Sequence, residues 1–430
     1  MAQQGDLESR CNGKASKIQA GFVRSLSEII TEEDLLVDLS LWETLPKEVV
    51  ESICALLPLS KILELLKLCE PWSRLPTATR FRQFCAKAHG DLFGIVMFDG
   101  KLWTYQLAIY DSKHKEWSHL ELSSFLPDYM NYLKQSELFF GHDGGLMCVI
   151  PYDFYFHEAP PCILVFNPLT GDKKYIGVSS FIASFDPRTT LSYVVLLQLI
   201  MDGELGCYKL ILVTQRTKPR VGGVEYYSES YDSMSGVWST LDSGFVYGDG
   251  MMRYGRQHVC FDCRLKKFCR PAESGKTVRN PSPHVYHSNV VPDDLYYPFH
   301  TFVRDHRFKL EFAEVDTDED NFSSTAEVLE SVWQNGWNEK SKISLAMEMP
   351  CEDFEARLLA CTRYILMVTD GGRFADSEHC RQHMALFDRV TCEETVLNIP
   401  RFMTKEFCGA GYSITSNLES MCDLKWDVVP

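Results

Sequence analysis

Between Leu45 and Ala88 the apolar residues recur at helical spacing. Val49, Val50, Ile53, Leu56 and Leu57 fall at i, i+1, i+4, i+7 and i+8, a single stripe on a helix. Leu45-Pro46 opens that helix, since a proline near the first helical position has no N–H to lose. Pro58 ends it and helps to start the next. In the second helix Leu59, Ile62, Leu63, Leu65, Leu66 and Leu68 cover more than one face. A third, "TRFRQFCAKA", places Phe81, Phe84, Cys85 and Ala88 at i, i+3, i+4 and i+7. The two leading helices carry more apolar surface than they can hide against each other. Pro58 interrupts the run, which is too broken to span a bilayer.

From about residue 91 the texture changes. Short runs rich in Val, Ile, Tyr, Phe and Thr alternate with Gly, Asp, Asn and Pro: "LFGIVMF", "GLMCVI", "CILVFN", "YKLILVTQ", "RYILMVTDGG". That is an all-β pattern with tight turns. A diffuse unit recurs within it. An aromatic or aliphatic residue is followed by Asp or Asn, and a second hydrophobic residue stands seven places after the first. Tyr110-Asp111 leads to Trp117, Tyr231-Asp232 to Trp238, Phe261-Asp262 to Phe268 and Val315-Asp316 to Phe322. Phe166-Asn167 and Phe387-Asp388 keep the front half, with Lys173 and Glu394 in the second place. Such a unit predicts a hairpin: a strand end, an Asp or Asn capping a short turn, and the next strand. The starts lie about 55 residues apart on average, and a diglycine recurs at Gly144-Gly145 and Gly371-Gly372. The expected fold is mainly β, a propeller of about six blades, with a sandwich pair as the rival architecture. The chain divides into an N-terminal extension (1–39, largely flexible), a helical segment (40–90) and the β region (91–430).

The stretch "LWETLPKEVVESICALLPLSKILELLKLCEPWSRL" followed by "TRFRQFC" resembles the F-box, with matching marks at Trp42, Leu45-Pro46, Ile53, Leu57-Pro58, Leu59, Leu66, Trp72 and Phe81. The units "YDSKHKEW" and "YDSMSGVW", the phrase "FNPLTGD" and the diglycines make the remainder similar to kelch repeats. The chain thus looks like a plant-type F-box protein with a kelch-like β-propeller. It departs from the usual pattern at "LCEPW", where Pro71 breaks the helix at Glu70 in place of a basic residue. The resemblance implies a substrate-recognition subunit of an SCF-type ubiquitin ligase. The F-box would dock a Skp-family adaptor and, through it, a cullin, while the propeller holds a protein target. By the same resemblance Leu45, Pro46, Ile53, Leu57, Pro58, Leu59 and Leu63 face or shape the adaptor surface, and no catalytic residue or cofactor is expected.

Composition agrees with such a role. Lys plus Arg number 43 against 59 Asp plus Glu, a net charge of −16 that repels nucleic acid and anionic membrane surfaces. The start of the chain lacks the apolar core of a signal peptide. Most of the 16 cysteines sit singly in apolar runs, such as Cys54, Cys69, Cys148, Cys207 and Cys361, which predicts free thiols in the cytoplasm or nucleus.

Other chemistry is weaker. His258, Cys260, Cys263 and Cys269 invite a zinc reading, but no second Cys-x2-Cys follows at finger spacing. His379, Cys380 and His383 are similar. "EVDTDEDNF" lacks the central Gly and twelfth-position Glu of a calcium loop. Two alternatives remain open. One is a ligand-sensing or enzymatic propeller using His284, His287, Asp293 and Asp294. The other is an F-box scaffold outside the ligase.

Overall fold

A computed structural model describes residues 45–68, 70–99, 102, 104–127, 130, 138–151, 162–183, 191–218, 223–247, 260–262, 267–269, 299–300, 302–304, 308–318, 323–333, 337–348, 354–371, 382–403 and 418–430. The extension 1–39 lies outside them, with Trp42, Cys69, His258, Cys263, His284, His287, Asp293, Asp294, Phe322, His379 and Cys380.

The prolines set the helix starts. α1 (Lys47–Ala55) begins after Pro46, whose carbonyl accepts the N–H of Val49 and Val50. α2 (Leu59–Leu68) begins after Pro58, whose carbonyl accepts from Lys61 and Ile62. Residues Glu70–Ser73 form a further helical turn, α3, which contains Pro71. α4 (Thr79–His89) buries Phe81, Cys85 and Ala88 and ends at Gly90, whose φ of +65° suits glycine.

The β region is a series of antiparallel meanders. The first sheet holds β1 (Leu92–Asp99), β2 (Thr104–Asp111) and β3 (Glu116–Glu121). The second holds β4 (Leu138–Asp143), β5 (Leu146–Pro151), β6 (Cys162–Phe166) and β7 (Lys173–Gly177). The third holds β8 (Leu191–Asp202), β9 (Cys207–Lys218), β10 (Gly223–Asp232) and β11 (Val237–Tyr247). A hairpin, β12 (Cys260–Asp262) and β13 (Lys267–Cys269), follows. After β14 (Phe299–His300) comes a fourth sheet of β15 (Phe302–Arg304), β16 (Phe308–Asp318), β17 (Ser323–Trp333) and β18 (Trp337–Glu348). A fifth joins β14 in parallel to β19 (Phe354–Ala360), β20 (Tyr364–Gly371), β21 (His383–Asp388) and β22 (Glu393–Val396).

The last strand, β23 (Leu418–Leu424), returns to pair antiparallel with β1 and makes the first sheet four-stranded. Neighbouring sheets meet through their leading strands: β4 lies against β8 and β23, and β19 lies against β23. The arrangement is a β-propeller closed by its own C-terminal strand, which protects the sheet edges.

The cores lie between sheets. One spans the first and fifth (Phe93, Tyr364, Leu366, Met421) and another the second and third (Cys148, Val165, Leu199, Leu210). Strands so placed are covered on both faces. That is why β1 and β5, buried throughout, read as unbroken apolar runs rather than alternating ones.

The seven-residue unit has a direct structural meaning. Its first and last residues face each other across an outer hairpin: Tyr110 and Trp117, Phe166 and Lys173, Tyr231 and Trp238, Phe261 and Phe268, Phe387 and Glu394. The Asp or Asn after the first caps the turn. Asp111 accepts from Lys113 N–H, Asn167 from Leu169, Asp232 from Met234 and Asp388 from Val390. Val315-Asp316 is a correction. It lies within β16, where Asp316 faces Thr325 of β17, and the outer hairpin of that sheet is flanked instead by Trp333 and Trp337. Among the described residues there are four sheets of four strands, one of five and the separate β12–β13 hairpin.

Asp202 caps the β8–β9 turn in the same way, accepting from Glu204 and Leu205 N–H, and the fourth residue after Asp111, Asn167, Asp202, Asp232 and Asp388 turns left-handed. Gly171, Gly206 and Gly236 take φ of +78°, +64° and +69°, whereas Lys115 and Cys392 take +56° and +58° with a side chain attached. That conformation costs a non-glycine residue roughly 1–2 kcal/mol, partly offset by the greater entropy glycine loses on folding. Lys115→Gly and Cys392→Gly should therefore each stabilise the protein, by up to about 1 kcal/mol. A urea midpoint shifted downward in either variant would contradict this.

Candidate docking surface

The helices do not stand apart from the propeller. The first helical core residues, Val50, Cys54 and Ala55 of α1 with Leu59, Ile62, Leu63 and Leu65 of α2, join one cluster with Leu92, Val96 and Leu107 of the first sheet. Met147, Val149, Leu164 and Phe166 of the second sheet belong to the same cluster. The apolar surplus of α2 is thus largely consumed inside the molecule. Burial also pushes the Cys54 thiol up to about 12, so it acts as a small apolar group rather than a nucleophile.

Besides Leu68 at the end of α2, 41% exposed, one side of α1 stays outside. Pro46, Val49, Ile53 and Leu56 recur at i, i+3, i+7 and i+10 on the face opposite Cys54 and Ala55. Val49 is 40% exposed and Leu56 68%, while Ile53 is half-buried. Leu57 and Pro58 continue this side, half-buried. The charges of this helix lie away from the stripe: Lys47 pairs with the buried Glu51 at 3.6 Å, and Arg80 of α4 with Glu48 at 3.7 Å. An exposed apolar stripe on a helix is a surface that suits a groove in a partner.

Of the residues expected here, Pro46 is exposed, and Leu45, Ile53, Leu57 and Pro58 are half-buried. Leu59 and Leu63 face the shared core at 2% and 6% exposure, where they shape the surface from beneath. Val49 and Leu56 were passed over. Their signal was present in the spacing of the first helix, read as one stripe when it is in fact two faces.

A second set of residues fixes how this surface sits on the propeller. Arg82 of α4 bonds Asp172 of the "FNPLTGD" hairpin at 2.6 Å. In the same hairpin the Asn167 amide donates to the carbonyls of Lys425 and Val428, both at 2.8 Å, and so holds the C-terminal tail. That tail carries Trp426, 1% exposed, whose ring meets the edge of Phe81 at 5.9 Å and lies 6.4 Å from His89.

His89, at the end of α4, completes the junction. Its Nδ1 lies 3.0 Å from Asp111 Oδ2, and His114 Nδ1 lies 2.7 Å from the same oxygen. His89 is fully buried. Burial works against the Asp111 carboxylate, but the bonds from His89, His114 and the turn outweigh it and hold its pKa at about 2. Sequence reasoning missed this group. Its trace is Asp111-x2-His114 in a repeat unit, with a lone histidine closing the preceding helix.

No protein-family model matches the chain, and no curated protein matches it. Solved structures do. An exo-β-1,3-galactanase from Phanerochaete chrysosporium matches at 6% identity and a TM-score of 0.21, over 62% of this chain and 50% of that one. An exo-β-1,3-galactanase from Clostridium thermocellum matches at 10% and 0.23, over 64% and 50%. The tricorn protease matches at 12% and 0.19, over 71% and 25%. The chain thus spans half the length of the two galactanases. Nothing about activity is taken from these likenesses.

Proposed function

We propose that this chain is the substrate-recognition subunit of an SCF-type cullin-RING ubiquitin ligase. Its helices dock a Skp-family adaptor that brings the cullin, and its kelch-like propeller holds the protein target. The observation that carries the reading is the apolar stripe of Pro46, Val49, Ile53 and Leu56 on α1, which stays open at Val49 and Leu56 while Val50, Cys54 and Ala55 of the same helix are buried. It falls within the stretch whose prolines, Trp72 and Phe81 make the resemblance to an F-box. In this reading the β12–β13 hairpin, which keeps the seven-residue unit, is the outer half of a sixth blade.

The chain performs no chemistry of its own in this role. It raises the effective concentration of a target lysine near the charged ubiquitin carrier. The −16 charge favours rapid encounter with basic targets. Among the described residues no helix is long and apolar enough to cross a membrane.

The test is a pulldown of the intact protein with a Skp-family adaptor. Val49→Asp with Leu56→Asp should weaken capture by roughly 100-fold or more, since two charges would be buried in an apolar contact. Both side chains are exposed, so the fold should survive. An intact protein that captures no adaptor, or a double variant that binds as well as the parent, would sink the proposal.

A further inference from the structure

Two of the aspartate caps of the outer hairpins, Asp232 and Asp388, share one arrangement, and Asp111 departs from it. In Asp388 one carboxylate oxygen takes the turn N–H groups of Val390 and Thr391, and the other takes the Arg363 guanidinium at 2.7 Å. In Asp232 one oxygen takes Met234 and Ser235 N–H, and the other faces Lys209 at 3.8 Å. Both of these aspartates thus join a turn to a permanent cation. Asp111 Oδ1 likewise takes the N–H of Lys113 and His114, but its Oδ2 faces two imidazole nitrogens. The nearby Lys113 ammonium goes to the carbonyl of Ala88 instead.

We propose that His89, Asp111 and His114 form a binding site for a divalent transition-metal ion, zinc before others. The inference does not rest on the docking reading. His89 Nδ1, Asp111 Oδ2 and His114 Nδ1 lie within 4.8 Å of one another. Two imidazole nitrogens and a carboxylate oxygen are the ligands of open tetrahedral zinc sites, with water in the fourth place. Ligand bonds of about 2.0–2.1 Å put neighbouring donor atoms roughly 3.4 Å apart. The present separations of 3.0 and 2.7 Å require the carboxylate and the rings to part by about half an ångström. His114 can supply that movement and the water's entry, because it lies in a turn with its side chain 27% exposed. His89 and Asp111, at 0% and 2%, form the closed side.

The ion would tie the end of α4 to the first outer hairpin.

The experiment uses the full chain, stripped with chelator and dialysed, in a Cys392→Ser background to remove an exposed thiol. Zinc is titrated against a chromophoric chelator, bound metal is counted by mass spectrometry, and Co2+ is added for its visible spectrum. The expected result is about one ion per chain, and a roughly tenfold or greater loss of affinity in His114→Ala. Far-UV circular dichroism confirms that this partly exposed substitution leaves the fold intact. Substoichiometric retention after dialysis, or unchanged affinity in His114→Ala, would overturn the site and leave a purely hydrogen-bonded cap.

Discussion

Trp426→Ala is expected to lower the unfolding free energy by about 3–5 kcal/mol and to release the helices from the propeller. The indole is 1% exposed in the core shared by α1, α2, α4 and the first two sheets. Its removal opens a cavity that the surrounding side chains would fill only in part. It also removes the edge contact to Phe81 at 5.9 Å, the main aromatic anchor of α4.

The loss should be uneven. α1, α2 and α4 have 9, 10 and 11 residues, and helices of that length are marginal in water without packing. The third sheet, by contrast, packs on the second through Leu199 and Leu210, in a core cluster that does not include Trp426. Hydrogen exchange should therefore quicken in the helices first, with the third sheet protected. Trp426→Phe should retain most of the stability. Helices as protected in Trp426→Ala as in the parent would show that the tail is no keystone.

What the sequence revealed and what it hid divide along chain distance. Pro46 and Pro58 set the helix starts because their effect is local. The Asp and Asn caps, and the hydrophobic residue seven places on, were readable because a hairpin is a contact between near neighbours. The unit at Val315 misled for the same reason: a short motif says nothing of whether a turn or a strand interior holds it. The orientation of α2 was hidden. Leu59 and Leu63 look alike whether they face a partner or a core, and the sheets that cover them come later in the chain. Trp426 lies hundreds of residues after Phe81, and no periodicity links the two. The convergence of His89 and His114 on Asp111 needs both the end of α4 and the first outer hairpin in place.

That convergence also predicts how the protein responds to acid. Asp111→Ala removes a turn cap and leaves His89 buried without its partner, which together should cost about 3 kcal/mol. Asp111→Asn separates the two effects. Asn167 shows that an amide oxygen can cap this kind of turn, by accepting the Leu169 N–H at 2.9 Å. The amide keeps the turn but loses the charge that the imidazoles face, so Asp111→Asn should cost less than Asp111→Ala.

The two proteins should then part as pH falls. The Asp111 pKa is depressed from 3.8 to about 2, so its ionised form stabilises the folded state above pH 3.8. That stabilisation, about 2 kcal/mol, is lost as pH drops from 3.8 through 2. Urea midpoints measured at pH 5 and again near pH 2.5 should fall further for the parent than for Asp111→Asn, because the amide has no proton to gain. Parallel losses in the two would place the acid sensitivity in other carboxylates and leave Asp111 as a turn cap alone.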